Sequence, residues 1–167
     1  MIGNDVVDLK LAKSQSNWQR KGYLNKIFTD LEQQQIAQSD VPNESVWELW
    51  SRKEAVYKLL LQQGIQRGYY PKKIECLHYN EQIGKVKYNS KLFYTKTYIS
   101  SDYIHSIAVI NELDLYKIQT IFWDKNCIKI DQIPFLKSNN LLLNISKSHH
   151  GRFEKVICLN FESSLKL

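Results

Sequence analysis

The sequence predicts an α+β domain, with an N-terminal strand and helices followed by an antiparallel sheet. Three observations carry this reading. With 167 residues and 43% apolar content, the chain can build one compact domain with its own core. The helix start and stop signals fall before Gly64. From about residue 72 onward, short Tyr/Ile/Val/Leu segments alternate with turn residues. Helices first and sheet afterwards is an α+β order, and no internal repeat or low-complexity linker is visible, so 1–167 reads as a single domain.

Residues 1–9 read as a strand, with Ile2, Val6, Val7 and Leu9 as its apolar members. Residues 17–38 read as one or two helices broken near Phe28-Thr29-Asp30. Thr29 or Asp30 caps the second, with Glu32 in its first turn. Asp40 to Ser45 is expected to be a loop. The strongest helix then starts at a Ser45/Glu48 capping box and stops at Gly64, with Val46, Leu49, Val56 and Leu60 as its buried stripe. Strands are expected in 73–79, 84–99, 104–110 and 127–133, with hairpins near Gly84 and Asn89-Ser90, and a last strand over 154–161.

Composition narrows the function. No apolar run reaches the ~20 residues needed to cross a bilayer, and the first ten residues carry acids where a signal peptide carries bases. A cytoplasmic protein with no membrane partner is the expectation. Cys76, Cys127 and Cys158 are widely spaced and form no C-x-x-C pair, so they read as reduced, buried small hydrophobes. The net charge of +6 favours an anionic partner. Ten tyrosines and a pI near 9.1 raise nucleic-acid binding as one reading. No dense Lys/Arg cluster or nucleic-acid signature supports it, and the tyrosines suit half-buried strands.

Three segments could carry chemistry. In Trp50 to Lys58, Trp50, Glu54 and Lys58 are spaced by four and share a helix face. They form either a surface Glu–Lys pair or a partly buried carboxylate that needs a cation. In the first strand, Gly3, Asp5 and Val7 point one way and Asp8 the other, so Asp5 and Asp8 do not form one ligand pair. Gly3 leaves room for something close to the backbone. Asn144 to Phe153 gathers serines, histidines, a glycine and an arginine before the last strand. It reads as a polar hairpin turn or as a phosphate cradle.

In this order the three segments resemble the 4′-phosphopantetheinyl transferase family, whose members carry G-x-D on an N-terminal strand, a helix with [WF]-[ST/A]-x-K-E-[AS]-x-x-K, and S-x-[ST]-H before a later strand. The corresponding residues here are Gly3-Asn4-Asp5, Trp50 to Lys58, and Ser146-Lys147-Ser148-His149. Residues 27–32 also look like the family's lead into the second motif. One set of motifs with S-x-S-H last is similar to the small holo-acyl-carrier-protein synthase branch. The double-length surfactin-type enzymes place the S-H motif in their first half. The chain departs from the surfactin type at Val7, where those enzymes carry a second acid. Residues 72–138 carry no family motif and read as an enlarged β-rich middle segment.

The resemblance implies a 4′-phosphopantetheinyl transferase-like fold and a Mg²⁺-dependent transferase. That enzyme moves phosphopantetheine from coenzyme A to a serine of an apo acyl or peptidyl carrier protein and releases 3′,5′-adenosine bisphosphate. Fatty acid biosynthesis, polyketide synthesis and peptide synthesis are all compatible destinations. Asp5 and Glu54 would hold the metal, with Glu54 and Lys58 catalytic. Lys53 and Lys58 would contact phosphates, and Ser148 and His149 would hold the nucleotide's phosphate with help from Arg152. A non-catalytic coenzyme A or carrier-protein binding module on the same fold is the alternative. Small synthases share sites between subunits of a trimer. The expectation is therefore that Ser148 and His149 lie far from Asp5 and Glu54 in one chain and a homotrimer completes the site. The other arrangement folds the turn back onto its own helix.

Overall fold

The computed structural model describes residues 1–77 and 83–160. The elements run β1 (Ile2–Asp8), α1 (Leu9–Gln15), α2 (Tyr23–Ile27), α3 (Asp30–Gln38) and α4 (Pro42–Gln62), followed by β2 (Ile74–Leu77), β3 (Ile83–Tyr88), β4 (Lys91–Ile99) and β5 (Tyr103–Val109). A 3-10 helix (Glu112–Tyr116) leads into β6 (Ile118–Ile121), β7 (Cys127–Ile130), β8 (Ile133–Ser138), β9 (Leu141–His150) and β10 (Phe153–Leu159). Among the described residues no helix is long and apolar enough to cross a membrane.

The strands form two antiparallel sheets, in the orders β1-β5-β4-β3-β2 and β6-β10-β9-β8-β7. Each sheet pairs its first strand with its fifth and then returns through the fourth, third and second. The strand order repeats although the sequence shows no repeat, and only the first sheet carries helices between its first two strands. The expected middle segment is divided between the sheets: β2–β5 belong to one and β6–β8 to the other.

Several expectations hold for the reasons given. Thr29 caps α3, its side chain accepting from Glu32 N while Glu32 reaches back to Thr29 N. Gly64, at φ +83°, stops α4, and Val46, Leu49, Val56 and Leu60 are buried. Asn89 has positive φ in the two-residue β3–β4 turn. All three cysteines are free and buried.

Others need correction. α1 replaces the end of the expected strand, because Asp8 accepts from Lys10 N and Leu11 N as its cap. α4 starts at Pro42, so the expected loop is helical; proline suits the first turn, where its missing N–H is no loss. Ser45 instead bonds Ser39 and the Val41 carbonyl, and Glu48 pairs with Arg52 at 2.6 Å. Gly84 lies inside β3 opposite Thr95 rather than in a turn. Residues 127–133 hold a strand, a turn at Asp131-Gln132 and the start of the next strand. The expected end of the last strand at Phe161 lies outside the described residues.

The main core lies between α4, α3 and the first sheet. A second cluster, with Ile2, Ile107, Val109, Ile157 and Leu159, joins the sheets. β1 is the edge of the first sheet, and side chains satisfy its outer N–H groups. Ile2 N donates to Gln62 Oε1, Asn4 N to Ser146 Oγ, Val6 N to Ser148 Oγ and Asp8 N to His150 Nδ1, at 2.9–3.1 Å. Strands on both sides have period two, so three alternate β9 side chains meet three alternate β1 amides.

Candidate active site

Gly3 determines how closely α4 crosses β1. A Cβ built there would lie 1.9 Å from the Ala55 carbonyl oxygen and 2.9 Å from Leu59 N. The room that the sequence suggested beside Gly3 is therefore taken by the helix. The crossing brings Asp5, on the same strand face, beside α4, where Ser51 Oγ donates to the Asp5 carbonyl at 3.2 Å. The Lys58 Nζ then reaches Asp5 Oδ1 at 3.0 Å. Lys58 thus pairs with the strand aspartate, not with Glu54 on its own helix.

Ser148 completes this cluster. Its hydroxyl donates to Asp5 Oδ1 at 3.0 Å and accepts from Lys58 Nζ at 2.9 Å and Val6 N at 3.1 Å. A serine hydroxyl has one donor and two acceptor sites, and all three are used. Ser148 therefore holds Asp5 and Lys58 together, and the expected direct grip on a nucleotide phosphate is not available to it in this arrangement.

These residues line a cleft of about 250 Å³ together with Tyr23, Trp47, Trp50, Glu54, His149 and His150. Glu54 lies in its wall. Burial, followed by the charge of Asp5, raises its carboxyl from 4.5 to about 7, and Lys58 partly opposes this. A second cleft, also of about 250 Å³, lies along the C-terminal part of α4. Glu54, Tyr57, Lys58 and Arg67 face Pro134, Ser146 and Lys147 across it. Glu54 and Lys58 line both clefts.

Asp5, Glu54, Lys58, Ser148 and His149 thus meet within a single chain. The expectation that Ser148 and His149 stand far from Asp5 is corrected: the second sheet folds its hairpin back onto β1, where a neighbouring subunit was expected. Two further expectations fail. Lys53 is buried and binds the carbonyls of Pro71 and Ile74 at 2.7 and 2.6 Å and Glu32 at 2.7 Å, so it ties α3 and β2 to α4 and does not line either cleft. Arg152 grips Asp8 through Nε and Nη2 at 2.9 Å and Asp102 at 3.0 Å. Its guanidinium hydrogen bonds hold the Asp8 carboxyl well below the usual carboxylate range, and its charge serves two carboxylates rather than a phosphate.

The sequence reading missed His150, whose Nδ1 accepts from β1, and the Arg67–Lys147 cleft. The alternation of Ser146, Ser148 and His150 was the available signal for the first. Nothing local pointed to the second, which forms only when the end of α4 comes to face β8 and β9. His105 is also buried beside the site. Burial, then the nearby Lys155 and Lys58, lower its affinity for a proton to about 4, and it bonds Asn4 as a neutral ring.

Among the described residues no group of three or more His, Cys, Asp or Glu side chains converges to cage a metal. Two neighbouring carboxylates beside an open cleft suit Mg²⁺, which binds through one or two carboxylates and keeps positions for water and substrate phosphates.

The sequence model of the 4′-phosphopantetheinyl transferase superfamily matches residues 1–109. That range ends with β5, so it covers the first sheet and its helices and leaves the Ser146–His149 segment outside. No curated protein matches the chain. Among solved structures, the holo-[acyl-carrier-protein] synthase of Neisseria meningitidis is similar at TM-score 0.52 and 18% identity, over 66% of this chain and 97% of that one. The Helicobacter pylori synthase in complex with coenzyme A is similar at TM-score 0.54 and 15% identity, over 66% of this chain and all of that one. The Thermotoga maritima synthase aligns over 99% of this chain and 86% of its own at TM-score 0.52 and 13% identity. These identities establish a shared fold, and with the match over residues 1–109 the chain belongs to the 4′-phosphopantetheinyl transferase superfamily.

Proposed function

We propose that this protein transfers 4′-phosphopantetheine from coenzyme A to a serine of an apo acyl or peptidyl carrier protein, releasing 3′,5′-adenosine bisphosphate. The observation that carries the reading is the meeting of Asp5, Glu54, Lys58 and His149 around one cleft. Membership of the superfamily and a structural neighbour that binds coenzyme A support it.

The carrier serine oxygen attacks the phosphorus that bears the pantetheine arm. The bond from that phosphorus to the bridging oxygen breaks, and the nucleotide leaves with the bond's electron pair on its phosphate. Glu54, whose carboxylate lines the cleft, takes the serine proton. Lys58 meets the diphosphate as a point charge. His149, exposed on the wall of the first cleft, meets a nucleotide phosphate, and Arg67 gives the second cleft positive charge to hold the rest of the nucleotide, while the Lys147 ammonium beside it is paired with Glu154 at 2.8 Å. Asp5 and Glu54 would hold Mg²⁺, which when bound offsets charge on the phosphoryl oxygens. The site is complete in one chain.

The test is incubation with coenzyme A, Mg²⁺ and a panel of apo carrier proteins, read by intact mass. The expected result is gain of one phosphopantetheine arm on at least one carrier, absent with EDTA. Tight coenzyme A binding without transfer to any carrier would favour a non-catalytic binding module and sink the proposal.

A further inference from the structure

We infer that Lys58 is a tethered counter-cation whose exchange between Asp5 and a diphosphate makes metal and diphosphate binding cooperative. The inference rests on the reading above, that Asp5 and Glu54 hold a divalent cation and Lys58 meets the diphosphate. Its observations are the ones at Asp5. The same oxygen, Oδ1, takes both the Lys58 ammonium and the Ser148 hydroxyl at 3.0 Å.

A divalent cation that claims Asp5 therefore competes with an ammonium already in contact with it, and like charges at such range repel strongly in a partly buried site. That repulsion favours departure of the ammonium from Asp5. Its other partner is Ser148, a neutral hydroxyl. Among the residues lining the two clefts that Lys58 borders, Asp5 and Glu54 are the only carboxylates, and the cation claims both. Metal binding alone thus leaves a partly buried ammonium without an anion, which is costly.

A diphosphate removes that cost. Lys58 is a flexible lysine whose side chain is 29% exposed and borders both clefts. It can leave Asp5 for an incoming phosphate without leaving the site. The anion then serves as its new partner, and Asp5 is released to the cation. By linkage the effect is reciprocal: the cation also promotes diphosphate binding. Metal alone has to draw Asp5 away from its own ammonium, so the protein loads with metal less readily in the absence of its nucleotide.

The experiment is Mn²⁺ binding, followed by the electron paramagnetic resonance signal of the free ion. It compares wild type and Lys58→Gln, each with and without coenzyme A, with Lys58→Met as the second uncharged variant should the first not fold. Coenzyme A should tighten Mn²⁺ binding to wild type by about tenfold or more. Lys58→Gln without coenzyme A should bind Mn²⁺ several-fold more tightly than wild type alone, and coenzyme A should add less. Equal Mn²⁺ affinity of the two proteins without coenzyme A, with wild type still binding the ion in its presence, overturns the exchange and leaves the metal reading standing. Mn²⁺ binding that survives Asp5→Asn, or none in any protein, overturns both.

Discussion

Replacing Gly3 by alanine tests whether the closeness of helix and strand builds the site. Gly3 has no positive φ, so alanine is conformationally acceptable, and in open space it would stabilise the fold by about 0.4–1 kcal/mol through the unfolded chain. The space is not open. The new Cβ would sit 1.9 Å from the Ala55 carbonyl oxygen, and ordinary contact starts at 3.4 Å. The obstacle is helix backbone, not the end of a flexible side chain, so α4 must lift off β1. Overpacking of this kind costs about 3 kcal/mol, toward the upper end of its usual range. The net expectation is a loss of about 2 kcal/mol, or about 4–8 °C in melting temperature for a chain of this size. The site should suffer more than the fold, because Lys58 rides on α4 and Asp5 on β1, and their 3.0 Å contact does not survive such a shift. A misplacement near 1 Å is enough to lower turnover by about 100-fold. Urea denaturation gives the stability at unchanged m-value, and the carrier-protein mass assay gives turnover. A Gly3→Ala protein as stable as wild type or more so would show that the close crossing is not what determines the site.

Three other outcomes follow from the same geometry. Burial and Asp5 raise Glu54 from 4.5 to about 7, so the fold holds this proton more tightly than the unfolded chain does. In EDTA its stabilising contribution is fully present below pH 4.5 and is lost as pH rises through about 7. Relative to wild type, Glu54→Gln should gain stability over that window, and parallel melting-temperature profiles would contradict this. Lys53→Met should cost about 3–5 kcal/mol by stranding the buried Glu32 carboxylate, whereas a variant of unchanged stability with impaired coenzyme A binding would return Lys53 to a phosphate-binding role. Inactive, folded Glu54→Gln and His149→Ala chains should regain no activity when mixed, since each chain holds its whole site; recovery would mean a site shared between chains.

What could be read from the sequence was what depends on near neighbours. The Thr29/Glu32 cap, the Gly64 stop and the Asn89 turn are local devices, and each appears where its residues stand. The shared face of Trp50, Glu54 and Lys58 is helical geometry and was equally visible, as was the separation of Asp5 from Asp8. The failures concern long-range partners. Lys53 sits in the same charged stretch as Lys58, but one turns to Glu32 and the carbonyls of Pro71 and Ile74 while the other turns to Asp5. Spacing along a helix gives a residue's face, not what the fold brings to that face. Ser45 and Glu48 satisfied a capping pattern, yet Pro42 three residues earlier started the helix.

The largest surprise, the meeting of Asp5, Glu54, Lys58, Ser148 and His149 within one chain, comes from the repeated strand order. A lone first sheet would end at β1 with the N–H groups of Asn4, Val6 and Asp8 unpaired and with Ile2, Ile107 and Val109 uncovered. The second sheet resolves both: Ile157 and Leu159 cover the apolar patch, and Ser146, Ser148 and His150 accept from the three amides. Along this stretch the β9 backbone pairs with β10, its ladder with β8 having ended at Asn144, and it is the serine and histidine side chains that reach across to β1. Once Ser148 accepts from Val6 N, the period of the two strands leaves its hydroxyl beside Asp5, the next residue along β1 toward the N-terminus, and within reach of Lys58. The contacts that protect the edge of the first sheet are therefore the same contacts that hold the carboxylate and the ammonium together. A register shift of β9 against β1 would expose the edge and dismantle the site in one step.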